Sequence, residues 1–275
     1  MIKNFLLSIF LLLIPSCFWG NTAYRPQVSV AGFIPLSGSG RDIYNFNPGW
    51  RYYKGDMERA ETVELDDSDW EVVATPHSVE LMPAEASGCR NYQGPVWYRK
   101  WFVIPAATRG KQVFIHFEAV MGKQKVYLNG HLVKEHLGGY LPFNIDLTAN
   151  GIQAGDSCLI AVMADNSDDK SYPPGKRQYT LDFSYHGGIY RDVWMIAKSD
   201  VSITDAVDAG KVAGGGVFIH YGRISEKKAD ILIDTEVRNN GKRQRKVEVE
   251  SSLVDATGTL IKRVVAMVHL DAGQS

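Results

Sequence analysis

The chain has little cysteine, three residues in 275, and no Cys/His spacing of the kind that builds a zinc site. Cys89 and Cys158 lie too far apart to define a disulfide framework. Cys158, inside the apolar run Cys158-Leu159-Ile160-Ala161-Val162-Met163, reads as a buried free thiol. Excess charge is also lacking. Thirty Lys and Arg against 31 Asp and Glu leave a formal net charge of −1, which excludes the broad basic face that a nucleic-acid partner requires. After residue 20 no apolar run is long enough to span a bilayer. No window of helical length carries a sustained apolar stripe, and Asp66 to Val73 has room for at most a short turn. Nothing in the sequence calls for a metal or another cofactor; His116, His131, His136 and His186 fall in separate segments.

What is present begins with the first 20 residues, where Lys3 precedes the apolar run Phe5 to Ile14 and Pro15-Ser16-Cys17 ends it, the parts of an export signal. Two alternatives stay open. Ile14-Pro15-Ser16-Cys17 resembles a bacterial lipobox, which would make Cys17 a lipidated first residue and a membrane tether; ordinary cleavage near Gly20 to Ala23 is the other. Either way the expectation is an exported protein, periplasmic, anchored at the outer membrane or extracellular in a bacterium, with 21–43 as a polar leader.

From residue 44 onward the periodicity is that of strands. Val113, Ile115 and Phe117 alternate with polar neighbours, as do Val126 and Leu128. Asn129-Gly130 between two such runs predicts a type I′ hairpin, because both central positions of that turn need positive φ. Further strands are expected at 159–163, 193–196, 217–220, 231–237, 247–254 and 260–270. The fold class is therefore all-β, with two sandwiches. Their boundary falls at 199/200, where the composition shifts. Trp50, Trp70, Trp97, Trp101 and Trp194 all precede it, and short Val/Ile strands separated by Gly-Gly-Gly, Asn-Asn-Gly and Thr-Gly follow it. Trp50, Trp70, Trp97 and Phe143 are expected in the core rather than stacked on a ligand. The run Lys242 to Lys246 reads as the solvated start of a strand. The Asp66/Asp67/Asp69 and Asp165/Asp168/Asp169 groups read as solvated turns or a calcium-tolerant surface.

The stretch from Asp182 to Val193 (DFSYHGGIYRDV) places a carboxylate, a phenol and an imidazole just upstream of a Gly pair. A carboxylate held there at a sheet rim can accept hydrogen bonds from a polyol. The competing expectation is an ordinary hairpin turn with a solvated Asp.

Ordered motifs along 44–196 resemble the amino-terminal part of glycoside hydrolase family 2, which includes β-galactosidases, β-glucuronidases and β-mannosidases. They are Asn45-Phe46-Asn47-Pro48-Gly49-Trp50, Asp69-Trp70 with Pro76-His77, Gly94-Pro95-Val96-Trp97-Tyr98-Arg99, Val126-Tyr127-Leu128-Asn129-Gly130, His136-Leu137-Gly138-Gly139-Tyr140, and Gly188-Ile189-Tyr190-Arg191-Asp192-Val193. The resemblance implies a jelly-roll, galactose-binding-like β-sandwich over 44–199 and an immunoglobulin-like sandwich, truncated, over 200–275. A carboxy-terminal (β/α)8 barrel holding both catalytic glutamates would follow beyond residue 275. It further implies that Asp182, seven residues before Ile189, reaches from the sandwich to a hydroxyl of a β-glycoside. Asn91 is the candidate for an assisting asparagine, and Tyr185 and His186 could line the same rim, although packing of the turn is the role expected for both. Arg191 and Asp192 are expected to be structural. No catalytic residue is expected within this chain, so hydrolysis by it alone is not expected. A stand-alone carbohydrate-binding module and a structural or interaction sandwich without glycan affinity are the alternative functions.

Overall fold

The computed structural model describes residues 27–28, 41–82, 91–183 and 185–275. The signal segment, Cys17, most of the leader and Cys89 lie outside the described residues. The first eleven strands are β1 (Gln27–Val28), β2 (Asp42–Asn45), β3 (Trp50–Lys54), β4 (Glu71–Val73), β5 (Pro95–Val103), β6 (Gln112–Phe117), β7 (Lys123–Leu128), β8 (His131–Leu137), β9 (Phe143–Asp146), β10 (Ser157–Asp165) and β11 (Val193–Lys198). They form two antiparallel sheets, one ordered β1-β2-β11-β6-β9 and the other β4-β3-β5-β10-β7-β8. This is a jelly-roll sandwich, and its core lies between the sheets.

Strand β6 shows how sequence becomes layer: Val113, Ile115 and Phe117 point into the core while Gln112, Phe114 and His116 face outward, the period-2 pattern of a half-buried strand. The core is aromatic. Phe46 meets Phe102 edge-on at 4.8 Å, and Phe117 stacks on Phe143 at 4.9 Å. Trp50 is fully buried beside Phe46 and Tyr98. Asn129 and Gly130 carry φ of 48° and 85°, the I′ turn expected between β7 and β8, and the Asn129 side chain accepts a hydrogen bond from the Leu159 amide at 2.8 Å.

Strand β10 is buried on both faces for most of its length. Its outer face is covered by a second cluster of Ala60, Trp70, Trp97 and Ala161, with Met57 and Leu65 packed against it. The buried Arg99 holds this cover in place. Its Nε donates to Asp67 at 2.7 Å, and its terminal nitrogens donate to the carbonyls of Ala60, Thr62 and Leu65. Asp67 is thus an ion-pair partner, not a solvated turn residue, because a buried guanidinium must be paired. Lys100, on the other face of β5, donates to the carbonyls of Phe46 and Pro48 at 2.6 and 2.7 Å. Burial pushes its pKa well down.

After residue 199 come β12 (Val201–Ile203), β13 (Val217–Ile224), β14 (Ala229–Thr235), β15 (Val237–Asn239), β16 (Arg245–Val254) and β17 (Leu260–Leu270), the strand pairs of the immunoglobulin-like part. They associate as three two-stranded ladders, β12 with β15, β13 with β14 and β16 with β17. Two expectations are corrected. The run 231–237 is two strands, because the Glu236 amide bonds the Gly216 carbonyl and the chain changes partner there, from β13 to β12. Asp66 to Val73 is more than a turn: Glu71–Val73 pairs with β3 as an edge strand, too short for its period to show.

Candidate functional site

Asp182 follows a 3₁₀ turn over Gln178–Thr180 and is itself exposed. The residues around it are not. Leu181 and Tyr185 are buried together with Met121, with Tyr190 against them, so the exposed carboxylate stands between two anchored side chains. Among the described residues Asp182 has no hydrogen-bond partner, whereas its acidic neighbours are occupied. Asp168 accepts from the Gln178 amide at 3.0 Å and from Gln93 at 3.3 Å. Glu80 accepts from the Tyr92 amide at 2.9 Å and pairs with Lys54, contacts that lower its pKa. Burial raises the Tyr185 phenol well above its ordinary value, which keeps it protonated and makes it a packing group rather than an acid.

The Gly pair is not a hairpin turn. The His77 amide bonds the Ile189 carbonyl at 2.7 Å, the Val79 amide bonds the Gly187 carbonyl at 3.1 Å, and the Met121 amide bonds the Gly188 carbonyl at 3.0 Å. Gly188 has φ of 91°, and a Cβ there would run into Tyr98 Oη and the His77 carbonyl; one on Gly187 would run into the Asn166 side chain. Glycine is required by close approach as well as by the left-handed backbone. The pair therefore locks the Asp182 loop against 77–79 and 121.

His186 also belongs to the clamp. Its Nδ1 lies 3.1 Å from Ser78 Oγ, and that hydroxyl donates to the Glu80 carbonyl at 2.7 Å, so His186 Nδ1 carries the proton of the shared contact. Asn91 reaches the same loop: its Nδ2 donates to the Tyr185 carbonyl at 2.6 Å, while its Oδ1 is buried with no partner among the described residues. Asn91, Tyr185 and His186 are thus gathered around the loop that displays Asp182, all three through contacts that hold it. Sequence reasoning missed Asn166 and Gln178. Asn166 is 2% exposed, accepts from the Gly94 amide, donates to the Tyr92 carbonyl at 2.8 Å, and receives the Gln178 side chain on its own carbonyl at 2.8 Å. Their only signal was an amide side chain directly after an apolar strand and another before Asp182.

Asp192 is structural. It accepts from Asn47 Nδ2 at 2.6 Å, and Asn47 Oδ1 in turn accepts from Thr75 Oγ1 and the Val193 amide. The Arg191 guanidinium lies 5.8 Å from the Tyr190 ring centre. Among the described residues no three His, Cys, Asp or Glu side chains are placed to hold a metal ion. Chemically, the rim offers in Asp182 an exposed carboxylate that, among the described residues, has no hydrogen-bond partner. Such a group is a hydrogen-bond acceptor for hydroxyls.

Residues 45–199 match the family model described as "Glycosyl hydrolases family 2, sugar binding domain". A β-galactosidase of Thermoanaerobacter pseudethanolicus is 34% identical over 241 residues, covering 84% of this chain and 31% of that protein. A β-glucuronidase of Formosa agariphila is 30% identical over 253 residues, 87% of this chain and 25% of that protein. Among solved structures, Bacteroides uniformis β-glucuronidase 2, covalently bound to cyclophellitol-6-carboxylate aziridine, superposes with a TM-score of 0.74 at 28% identity, covering 85% of this chain and 26% of that one. The chain thus spans about a quarter to a third of the length of these relatives. With the sandwich, the ordered motifs and the family model in agreement over the same residues, the chain belongs to glycosyl hydrolase family 2, through its sugar-binding domain.

Proposed function

We propose that this chain is the non-catalytic, amino-terminal part of an exported β-glycosidase, in which Asp182 accepts a hydrogen bond from a hydroxyl of the substrate's non-reducing-end sugar. The jelly roll occupies 44–199 and the immunoglobulin-like part begins at 200. The single observation that carries the reading is the contrast at the rim, where an exposed carboxylate with no partner among the described residues sits between the buried Leu181 and Tyr185 on a loop held through Asn91, Gly187 and Gly188. Such bracing fixes a binding group at little entropic cost on binding. Retaining glycoside hydrolysis needs two carboxyl groups about 5 Å apart, and in this reading both come from a carboxy-terminal (β/α)8 barrel. Asp182 contributes to catalysis to the extent that its hydrogen bond strengthens in the transition state. The export signal and a lipid on Cys17 would place the enzyme where polymeric glycans are met, periplasmic or at the cell surface. The mass of the mature amino terminus tests that placement.

The functional test is Asp182→Ala in the intact protein encoded by the gene, with Asp182→Asn as the conservative partner, assayed on aryl β-galactoside, β-glucuronide and β-mannoside. Loss of a hydrogen bond to a charged acceptor lowers kcat/KM by about 10- to 100-fold with an unchanged melting temperature. Unchanged kcat/KM in both variants overturns the role of Asp182. Glycan affinity without hydrolysis would instead mark a binding module.

A further inference from the structure

A cleft lies at the end of the sandwich remote from Asp182. Strands β5 and β10 run nine residues each, about 30 Å at ~3.3 Å per residue. Their Pro95 and Asp165 ends adjoin the loops around Asp182. Their Val103 and Ser157 ends lead to segments 104–112 and 148–156, which are cross-tied where the Ile104 amide bonds the Asp156 carbonyl at 3.0 Å and the Gly155 amide bonds the Ile104 carbonyl at 2.9 Å. Between these segments and the loop 240–245 of the second region opens a cleft of about 750 Å³, within the ~300–1,000 Å³ typical of ligand sites.

Its lining is strongly one-signed. Arg109, Lys111, Lys242, Arg243 and Arg245 face it, against Asp200 as its one carboxylate. Lys111 is paired with Asp42 at 2.7 Å. Among the described residues, Arg109, Lys242, Arg243 and Arg245 have no carboxylate partner. Four unneutralised cations around one concavity, in a chain of net charge −1, repel one another unless an anion sits between them. The loop that presents three of them is built, not loose. Asn239, fully buried, donates to the carbonyls of Arg243, Leu270 and Asp271 at 2.8, 3.1 and 3.1 Å, and its Oδ1 accepts from the Gly241 amide at 3.0 Å. The Asn240 amide bonds the Asp200 carbonyl at 2.8 Å. On the opposite wall Thr108 caps its own turn through the Pro105 carbonyl at 2.8 Å, and Thr148 receives the Val113 amide at 2.9 Å. The run Lys242 to Lys246 does open β16, as its pattern suggests, yet it also forms one wall of this cleft.

We propose that the cleft is a binding site for an oxyanion-bearing glycan, the guanidinium groups of Arg109, Arg243 and Arg245 taking its carboxylate or sulfate groups in forked hydrogen bonds. Its distance from Asp182 makes it an anchoring site for a further stretch of a polymeric glycan, raising the local concentration of chain ends. A nucleic acid is disfavoured because the cations line one concavity and do not form the stripe that tracks a phosphate backbone. The choice of a glycan over other anions rests on the proposed glycosidase reading; the presence of an anion site does not.

The test is calorimetric titration of the intact protein with a uronate-containing sulfated tetrasaccharide, its desulfated form, its desulfated and carboxyl-reduced neutral form, and a single-stranded oligonucleotide of matched charge. Saturable binding of a charged tetrasaccharide, weakening with added salt, is expected, with at least a tenfold loss in Arg243→Gln/Arg245→Gln and a smaller loss in Arg109→Gln. Binding of the desulfated form identifies the carboxylate as the recognised group, and binding of the sulfated form alone identifies the sulfate. Binding of neither, equal binding of the neutral form, affinity unchanged in the variants, or a preference for the oligonucleotide overturns the proposal. Asp182→Ala separates the two sites: it lowers kcat/KM and leaves this affinity intact. If it leaves kcat/KM unchanged while the tetrasaccharide still binds, the role of Asp182 falls and the anion site stands; if the intact protein hydrolyses no glycoside yet binds the tetrasaccharide, the glycosidase reading fails and the anion site stands.

Discussion

The two regions of the chain are both made of antiparallel strands and are held together by different means. Before residue 200 the sheets close over a continuous aromatic and aliphatic core. After it, the only side chains buried among the described residues are Asn239 and Leu270, while Val217, Ile219, Ile233, Val264 and Met267 are exposed. Strand periodicity alone is thus no measure of autonomy. Hydrophobic stabilisation scales with area removed from water, and the second region removes little. Its organising element is polar, the Asn239 side chain, whose Nδ2 shares its two hydrogens among the carbonyls of Arg243, Leu270 and Asp271 and whose Oδ1 accepts from the Gly241 amide.

That contrast can be broken or sharpened by substitution. The largest effect is expected in the jelly-roll core, where Trp50→Ala should cost about 3 to 5 kcal/mol in a urea melt. A loss under about 1 kcal/mol would mean that the core is not continuous there. Next, Arg99→Ala leaves Asp67 and three carbonyls without their donor and should cost about 3 kcal/mol, with faster amide exchange across 56–70. In the second region Asn239→Ala should cost about 1 to 3 kcal/mol, with exchange rising in β12, β15 and 270–274. If exchange stays unchanged, the polar hub is not what organises this region.

Acid should act on the jelly roll through His77 and His136. Burial lowers both below the ordinary 6.5, so the folded state holds them neutral and the unfolded chain takes up protons first. Their contribution is complete above about pH 6.5 and is lost as pH falls through the lower folded values, at no more than ~1.4 kcal/mol per pH unit for each proton. Melts at several pH values should show that slope, and His77→Gln should flatten it. The smallest effect is expected for Val264→Ala, 58% exposed, at under about 0.5 kcal/mol.

The sheets of the jelly roll were legible because their strands alternate cleanly and because Asn129-Gly130 has one favoured turn. Trp50, Trp70, Trp97 and Phe143 were legible as core for the same reason. What escaped were contacts made by polar side chains across long sequence separations. Arg99 with Asp67, and Asn166 with Gly94 and Tyr92, obey no period. Short edges such as Glu71–Val73 carry too few residues to show one. Of the site, Asp182 could be picked out by its place relative to Ile189, yet the parts that brace it are hydrogen bonds between segments about a hundred residues apart, as from Asn91 to Tyr185 and Ser78 to His186.

Gly188 has a bearing on how loss of function in this protein would be interpreted. No side chain larger than hydrogen fits between Tyr98 and the His77 carbonyl, so random mutagenesis scored by any output that needs the folded protein would return position 188 among its strongest hits. A genetic map drawn from such hits would trace the mould in which the Asp182 loop is cast. Asp182, exposed and tolerant of replacement as far as folding is concerned, would surface in the proposed role only when protein abundance and glycoside hydrolysis are scored separately.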